Sequence, residues 1–202
     1  MILELFFNSI ESGGANCVSC HSGDFFTDEK FHVIAMPQIG RGKGDGTLKN
    51  DDFGRFRETG KQADMYAFRT PALLNTTATG PWGHAGSYTT LEAVIRHHLN
   101  PQEALDNYDF NQLSSDIQTV YLVDNTQKAI NVLEANRLAG LPTIQKMSLS
   151  DNQIAQLIEF LNTLTDPCVE DRACLSKWIR DENDNDPDSM RLNAVDENGN
   201  PL

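Results

Sequence analysis

The stretch "NCVSCHSGDFFTD", residues 16–28, constrains the chain more than any other. Cys17 and Cys20 lie two residues apart, and His21 follows the second cysteine directly. Cys-x-x-Cys-His is the attachment signature of a c-type haem: two thiols and one imidazole reach a single macrocycle from one turn of chain. A structural zinc site would need a second Cys or His pair at suitable spacing. The other two cysteines, Cys168 and Cys174, lie about 150 residues away and form no such pair. A thioredoxin-like redox pair would be expected beside a βαβ pattern, and none is visible. The motif therefore reads as a covalent haem site. It makes the fold expectation a mainly α, c-type cytochrome domain, with a few helices and long loops wrapped round one haem.

The bulk composition narrows the partners. Asp and Glu number 29 against 16 Lys and Arg, a formal net charge of −13. That balance argues against nucleic acid or an anionic membrane surface, and permits steering of a basic or weakly charged protein partner. No run approaches the roughly 18 apolar residues of a membrane span. Glu4 and Glu11 interrupt the opening segment and no basic stretch precedes it, so no signal peptide is visible. The segment reads instead as an amphipathic helix running into the motif, with Leu3, Phe6, Phe7 and Ile10 at helical spacing. Export to the periplasm is expected from haem c attachment.

Residues 23–88 are rich in Gly, Thr, Asp and Pro and carry no sustained helical period. They read as an extended, loop-rich layer enclosing a ligand. "GRGKGDG" sits between no clear strand and helix and is not read as a nucleotide loop. Three helices are expected further on. The first is "TTLEAVIRHHL", with Thr89 and Glu92 at capping-box spacing. The second lies around 126–137. The third is "SLSDNQIAQLIEFLNTLTD", capped by Ser150 and Gln153, with an apolar stripe of Ile154, Leu157, Ile158 and Leu161. Two domains follow: 1–165 as the cytochrome domain and 166–202 as a short acidic extension. Cys168 and Cys174 are expected to form a disulfide there, as suits an exported protein, with Trp178 as an anchor. The run "DENDNDPD", residues 181–188, lacks the glycine and the bidentate glutamate of a calcium loop and reads as a solvated tail.

A haem iron has a second axial position. With ~100° of rotation per helical residue, Leu91, Val94, Ile95 and His98 share one face, while His97 falls beside the polar face. His98 is the expected sixth ligand and Met36, in "FHVIAMPQIG", its rival. The distinction matters because a Met/His pair raises the reduction potential relative to bis-histidine. Arg69, in "FRTP", is a candidate partner for a haem propionate.

"CVSCHSGDFFTDEKFHVIAMPQIGRGKGDG", "DDFGRFRETG", "FRTPALLNTTATGPWGHAG" and "TTLEAVIRHH" together resemble the second haem domain of bacterial di-haem cytochrome c peroxidases, and more closely the methylamine-utilisation branch. The resemblance covers roughly residues 1–165. It implies that this domain carries the electron-transfer iron, while a separate domain carries the peroxide-reactive one. Cys17, Cys20 and His21 fall on the haem-binding motif, and His98 on the distal-ligand position, where peroxidases have Met and the methylamine branch Tyr. The resemblance also implies calcium bound between the domains through backbone carbonyls that correspond to Thr79 and Pro81. Two departures stand out: Leu74 replaces an arginine, and "PWGH" replaces a "PY" followed by an aromatic or Met and His. No second Cys-x-x-Cys-His occurs in the 202 residues. The functional expectation is an electron-relay domain working with a second haem-bearing domain or a redox partner protein. The alternative is a stand-alone mono-haem electron carrier.

Overall fold

The computed structural model describes residues 2–178 of the 202. The acidic run 181–188 lies outside them. The architecture is mainly α. In chain order it comprises α1 (Ile2–Phe7), β1 (Phe31–His32), α2 (Phe56–Thr59), β2 (Phe68–Arg69), α3 (Leu91–Leu99), α4 (Pro101–Asp106), α5 (Leu122–Leu138), α6 (Asp151–Asn162) and α7 (Arg172–Leu175), with short 3-10 turns between. The strands pair antiparallel, Phe31 opposite Arg69 and His32 opposite Phe68. Among the described residues no helix is long and apolar enough to cross a membrane.

The chain divides into two compact units, 1–166 and one beginning at Pro167. In the first, α1 packs on α6, α6 on α3, α3 on α4 and α4 on α5. Two apolar clusters result. One gathers Val33, Met36, Tyr66 and Tyr88 with the buried face of α5; the other gathers Leu5 and Phe6 of α1, Leu91 of α3 and Leu157, Phe160 and Leu161 of α6. In the second unit Cys168 and Cys174 form a disulfide, and Asp171 caps α7 through the amides of Ala173 and Cys174. Trp178 is 80% exposed, so it is not the anchor expected of it.

The helix expected to run from the start of the chain into the motif is broken. α1 ends at Phe7 and 3-10 turns follow at Ile10–Ser12 and Cys17–Ser19. The break has a physical cause. The Ala15 amide donates back to the Leu5 carbonyl at 2.7 Å and the Asn16 amide to the Asn8 carbonyl at 3.0 Å. This fold-back presses Gly14 so close to α1 that a Cβ there would stand 2.2 Å from the Asn8 carbonyl oxygen. The buried face of α1 is accordingly Leu5 and Phe6, while Leu3 and Phe7 are exposed.

The remaining helices follow their sequence patterns with local differences. α6 carries the complete Ser150–Gln153 capping box. α5 begins earlier than the pattern suggests, at Leu122, because Leu122 itself is buried. The cap of α3 is Thr90, accepting from the Ala93 amide, and not Thr89. The Thr89 amide and hydroxyl are both taken by the side-chain oxygen of Gln112. The loop-rich layer does contain long irregular stretches, and Gly40, Gly42, Gly44 and Gly46 all have positive φ. Part of it is held by a polar clasp on α5. Asn125 donates to the Asn50 carbonyl at 2.8 Å, Lys128 to Asp51 at 3.0 Å, and the Gln38 amide to Thr126 at 3.1 Å. Buried Asp51 also accepts from the Tyr66 hydroxyl.

The Gly14 contact yields a direct test. Gly14→Ala must displace either α1 or the turn at Cys17. It should cost at least about 2 kcal/mol of unfolding free energy, the scale of a core overpacking. Urea denaturation measures this, and a loss within about 0.5 kcal/mol, as for an ordinary surface change, would contradict the packing.

Candidate functional site

The motif folds as one tight turn. The amides of Cys20 and His21 both donate to the Cys17 carbonyl, at 3.2 and 2.9 Å, and Asn16 enters the turn with a positive φ. Cys17, Cys20 and His21 are thereby brought together, and all three are half-buried. Both cysteines are free thiols. Burial pushes the Cys17 thiol up to about 11, and burial also raises that of Cys20.

The His21 ring is oriented by backbone. Its Nδ1 lies 3.0 Å from the Phe26 carbonyl oxygen. A carbonyl only accepts, so the proton sits on Nδ1 and the lone pair on Nε2. The Pro71 carbonyl also faces the ring. Burial lowers the imidazole pKa to about 4, against the opposing effect of the Phe26 carbonyl, and His98 lowers it further. His21 and His98 thus come close enough to feel each other's charge, although 77 positions separate them in sequence.

α3 presents two adjacent histidines with different environments. His97 is fully buried. Its Nε2 donates to the Ile34 carbonyl at 2.8 Å, which leaves Nδ1 to accept from the Tyr88 hydroxyl at 2.9 Å. Both nitrogens are used. The sequence pattern placed His97 beside a polar face, and this is corrected by the packing: α3 lies between the two apolar clusters, with Ala93 and Val94 against the first and Leu91, Val94 and Ile95 in the second. Burial lowers the His97 pKa to about 3, with His98 adding to the effect.

His98 is half-buried. Its Nδ1 donates to the Val94 carbonyl at 2.8 Å, and among the described residues no hydrogen bond to Nε2 is found. Burial lowers its pKa, opposed by the Val94 carbonyl. His21 and His98 therefore share one feature: a backbone carbonyl holds the Nδ1 proton and leaves Nε2 as a lone-pair donor. That is the tautomer and orientation of a metal-ligating histidine.

Apolar side chains collect on the same cluster while staying only half-buried: Val18, Phe26, Leu73, Val94 and Ile95, with Cys17 among them. Two free thiols, two imidazoles with available Nε2 and incompletely covered apolar side chains fit a covalent haem c. Met36 is 6% exposed in the other cluster, with Val33, Tyr66 and Tyr88. Arg69 lines a hollow of about 230 Å³ with Lys43, Arg55, Arg57 and His84, and none of the motif residues lines it. Thr79 and Pro81 are exposed and flank the cis Gly80–Pro81 peptide bond. Sequence reasoning missed the His97 clasp, because Tyr88 and Ile34 are distant in sequence and nothing in their spacing signals the contact.

No family model matches the chain. Methylamine utilization protein MauG of Methylophilus methylotrophus is 36% identical over 106 residues, covering 52% of this chain and 27% of that protein. Cytochrome-c peroxidase IdrP1 of Denitromonas iodatirespirans is 31% identical over 104 residues, covering 42% of this chain and 28% of that protein. The chain is thus similar, over part of its length, to MauG and cytochrome c peroxidase proteins of the di-haem family. It spans about a quarter of the length of these curated relatives, the 27% and 28% above. A crystal structure of a MauG-like protein associated with microbial copper homeostasis shares the fold. Its TM-score is 0.55 at 23% identity, over 88% of this chain and 50% of that one.

The His97 clasp predicts a stability effect separate from any ligand role. Tyr88→Phe leaves Nδ1 buried without a donor and should cost about 1–3 kcal/mol. His97→Ala, which also leaves a cavity, should cost about 2–4 kcal/mol. Urea unfolding followed by circular dichroism checks both; neutrality of both variants would contradict the clasp.

Proposed function

We propose that residues 1–165 form a haem c-binding electron-transfer domain of a di-haem cytochrome c peroxidase-like oxidoreductase, with 166–202 an acidic extension. One observation carries this reading. Two imidazoles from distant parts of the chain stand near each other, each with Nδ1 tied to a backbone carbonyl, beside the free thiols of a single Cys-x-x-Cys-His turn. The similarity to MauG and cytochrome c peroxidases and the shared fold support it.

Haem c, when bound, supplies a reversible one-electron couple. Cys17 and Cys20 would tether it through their sulfurs. His21 and His98 would hold the iron through Nε2, with Nδ1 hydrogen bonds to the Phe26 and Val94 carbonyls that fix ring orientation and strengthen the donors. Bis-histidine ligation sets a lower potential than a Met/His pair would. Val18, Phe26, Leu73, Val94 and Ile95 keep water from the site. The acidic surface, with its net charge of −13, steers a basic region of a redox partner or second haem-bearing domain. Haem c attachment places the protein in the periplasm or an equivalent exported compartment.

A relay role follows from this ligand set. Peroxide reduction needs an open iron position, and His21 and His98 together would leave none. The peroxide-reactive haem then belongs to a partner domain. Calcium between the domains remains part of the proposal. The carbonyls of Thr79 and Pro81 would supply two oxygens of the roughly 6–8 that calcium takes, and the partner domain would provide others.

Three measurements test the reading. Produced in cells competent for cytochrome maturation, the chain should carry one haem that survives acid-acetone extraction, seen by intact mass and pyridine haemochrome. An unmodified polypeptide mass would refute it. His98→Ala should convert the low-spin ferric spectrum to high spin, whereas Met36→Ala should not. The loaded wild-type chain should turn over peroxide at about the rate of free haem; turnover far above that would make this haem itself the reactive centre.

A further inference from the structure

One cluster of metal-ligating side chains overlaps the proposed haem site only at Cys20. The Sγ of Cys20, a carboxylate oxygen of Asp28 and an imidazole nitrogen of His32 all lie within 4.8 Å of one another, and all three residues are half-buried. It is the one such trio of Cys, His, Asp or Glu side chains among the described residues.

Each member is held by a different part of the backbone frame. The Asp28 amide donates to the Cys20 carbonyl at 2.8 Å, which fixes residue 28 beside the end of the motif turn. The Asp28 carboxylate accepts from the Lys30 amide at 2.9 Å and stands 2.8 Å from His32 Nε2. His32 is placed by β1, in register with Phe68 of β2. Next to this strand, the Thr70 amide donates to the Lys30 carbonyl at 2.9 Å. The three donors thus converge from a turn, a loop and a strand.

Thiolate, imidazole and carboxylate form a zinc donor set, and three protein ligands leave a fourth tetrahedral position for water. Bond lengths of ~2.0–2.3 Å put two ligand atoms on such an ion about 3.3–3.8 Å apart, so separations of up to 4.8 Å need a small closure and the 2.8 Å His32–Asp28 contact a small opening. We propose that Cys20, Asp28 and His32 bind one zinc-type divalent cation in the chain that has not received haem. On binding, the Cys20 thiol loses its proton to solvent, and the His32 proton that Nε2 donates to Asp28 is exchanged through solvent to Nδ1, which frees the Nε2 lone pair for the ion. Asp28 contributes one oxygen. One proton is released, nothing is oxidised or reduced, and the doubly charged ion is neutralised by one thiolate and one carboxylate. A further consequence rests on the proposed function: a thioether at Cys20 uses the same sulfur, so zinc and haem attachment exclude each other.

The probe is cobalt(II), added anaerobically to the reduced, haem-free full chain and then displaced by zinc. The expected result is one ion per chain and a thiolate-to-cobalt charge-transfer band of one-sulfur intensity. His32→Gln and Asp28→Asn should each weaken binding at least about tenfold, and His84→Gln should leave it within about twofold. A chain already carrying haem should show no thiolate band. The proposal is overturned by absence of the band, by a band of two-sulfur intensity, by insensitivity to His32→Gln, or by a thiolate band in the haem-bearing chain. Cobalt binding as expected in a chain that never accepts haem would refute the proposed function and leave this site standing.

Discussion

The arrangement of the site depends on how α3 is held. His97 is buried with both ring nitrogens engaged, one by the Ile34 carbonyl and one by the Tyr88 hydroxyl. A buried imidazole left with an open nitrogen costs about 1–3 kcal/mol, so these two contacts fix the rotation of the helix about its axis. With His97 turned into one cluster, the next residue is turned by ~100° toward the other. His98 is then on the helical face shared with Val94 and Ile95, which pack in the second cluster, and within electrostatic reach of His21. Two neighbouring histidines of one type thus acquire different chemistry: one is used up by the fold, the other is left with a free nitrogen.

The same division runs through the rest of the first unit. The cluster on α5 is closed by polar contacts from the glycine-rich loop, through Asn125, Thr126 and Lys128. The cluster between α1 and α6 is closed by aromatic packing, with the Phe6 and Phe160 rings 4.6 Å apart. The motif turn is tied to the second cluster through the fold-back of residues 14–16 onto α1. Local backbone geometry and long-range packing therefore agree on where the two thiols stand.

Much of the site was legible in the sequence because its signals are local. The Cys-x-x-Cys-His spacing, the capping box of α6 and the placing of His98 with Leu91, Val94 and Ile95 are all readable within a few turns of chain. What was not legible is non-local. The helix expected before the motif is broken by a close approach at Gly14 that involves Asn8 and Glu4. The cap of α3 moved from Thr89 to Thr90 because Gln112, 23 residues away, takes the first threonine. His97 was set beside the polar face because a single helical wheel assumes one apolar side, and α3 has clusters on two. The Cys20–Asp28–His32 trio depends on the pairing of two-residue strands, too short to be seen as a pattern.

The central claim is that His21 and His98 are the two axial ligands of one covalent haem. Electron paramagnetic resonance and near-infrared spectroscopy of the matured ferric protein test it most directly. The account predicts a low-spin bis-imidazole signal with no sulfur-to-iron charge-transfer band. A sulfur-to-iron band, marking a methionine ligand, or a high-spin resting iron would contradict it.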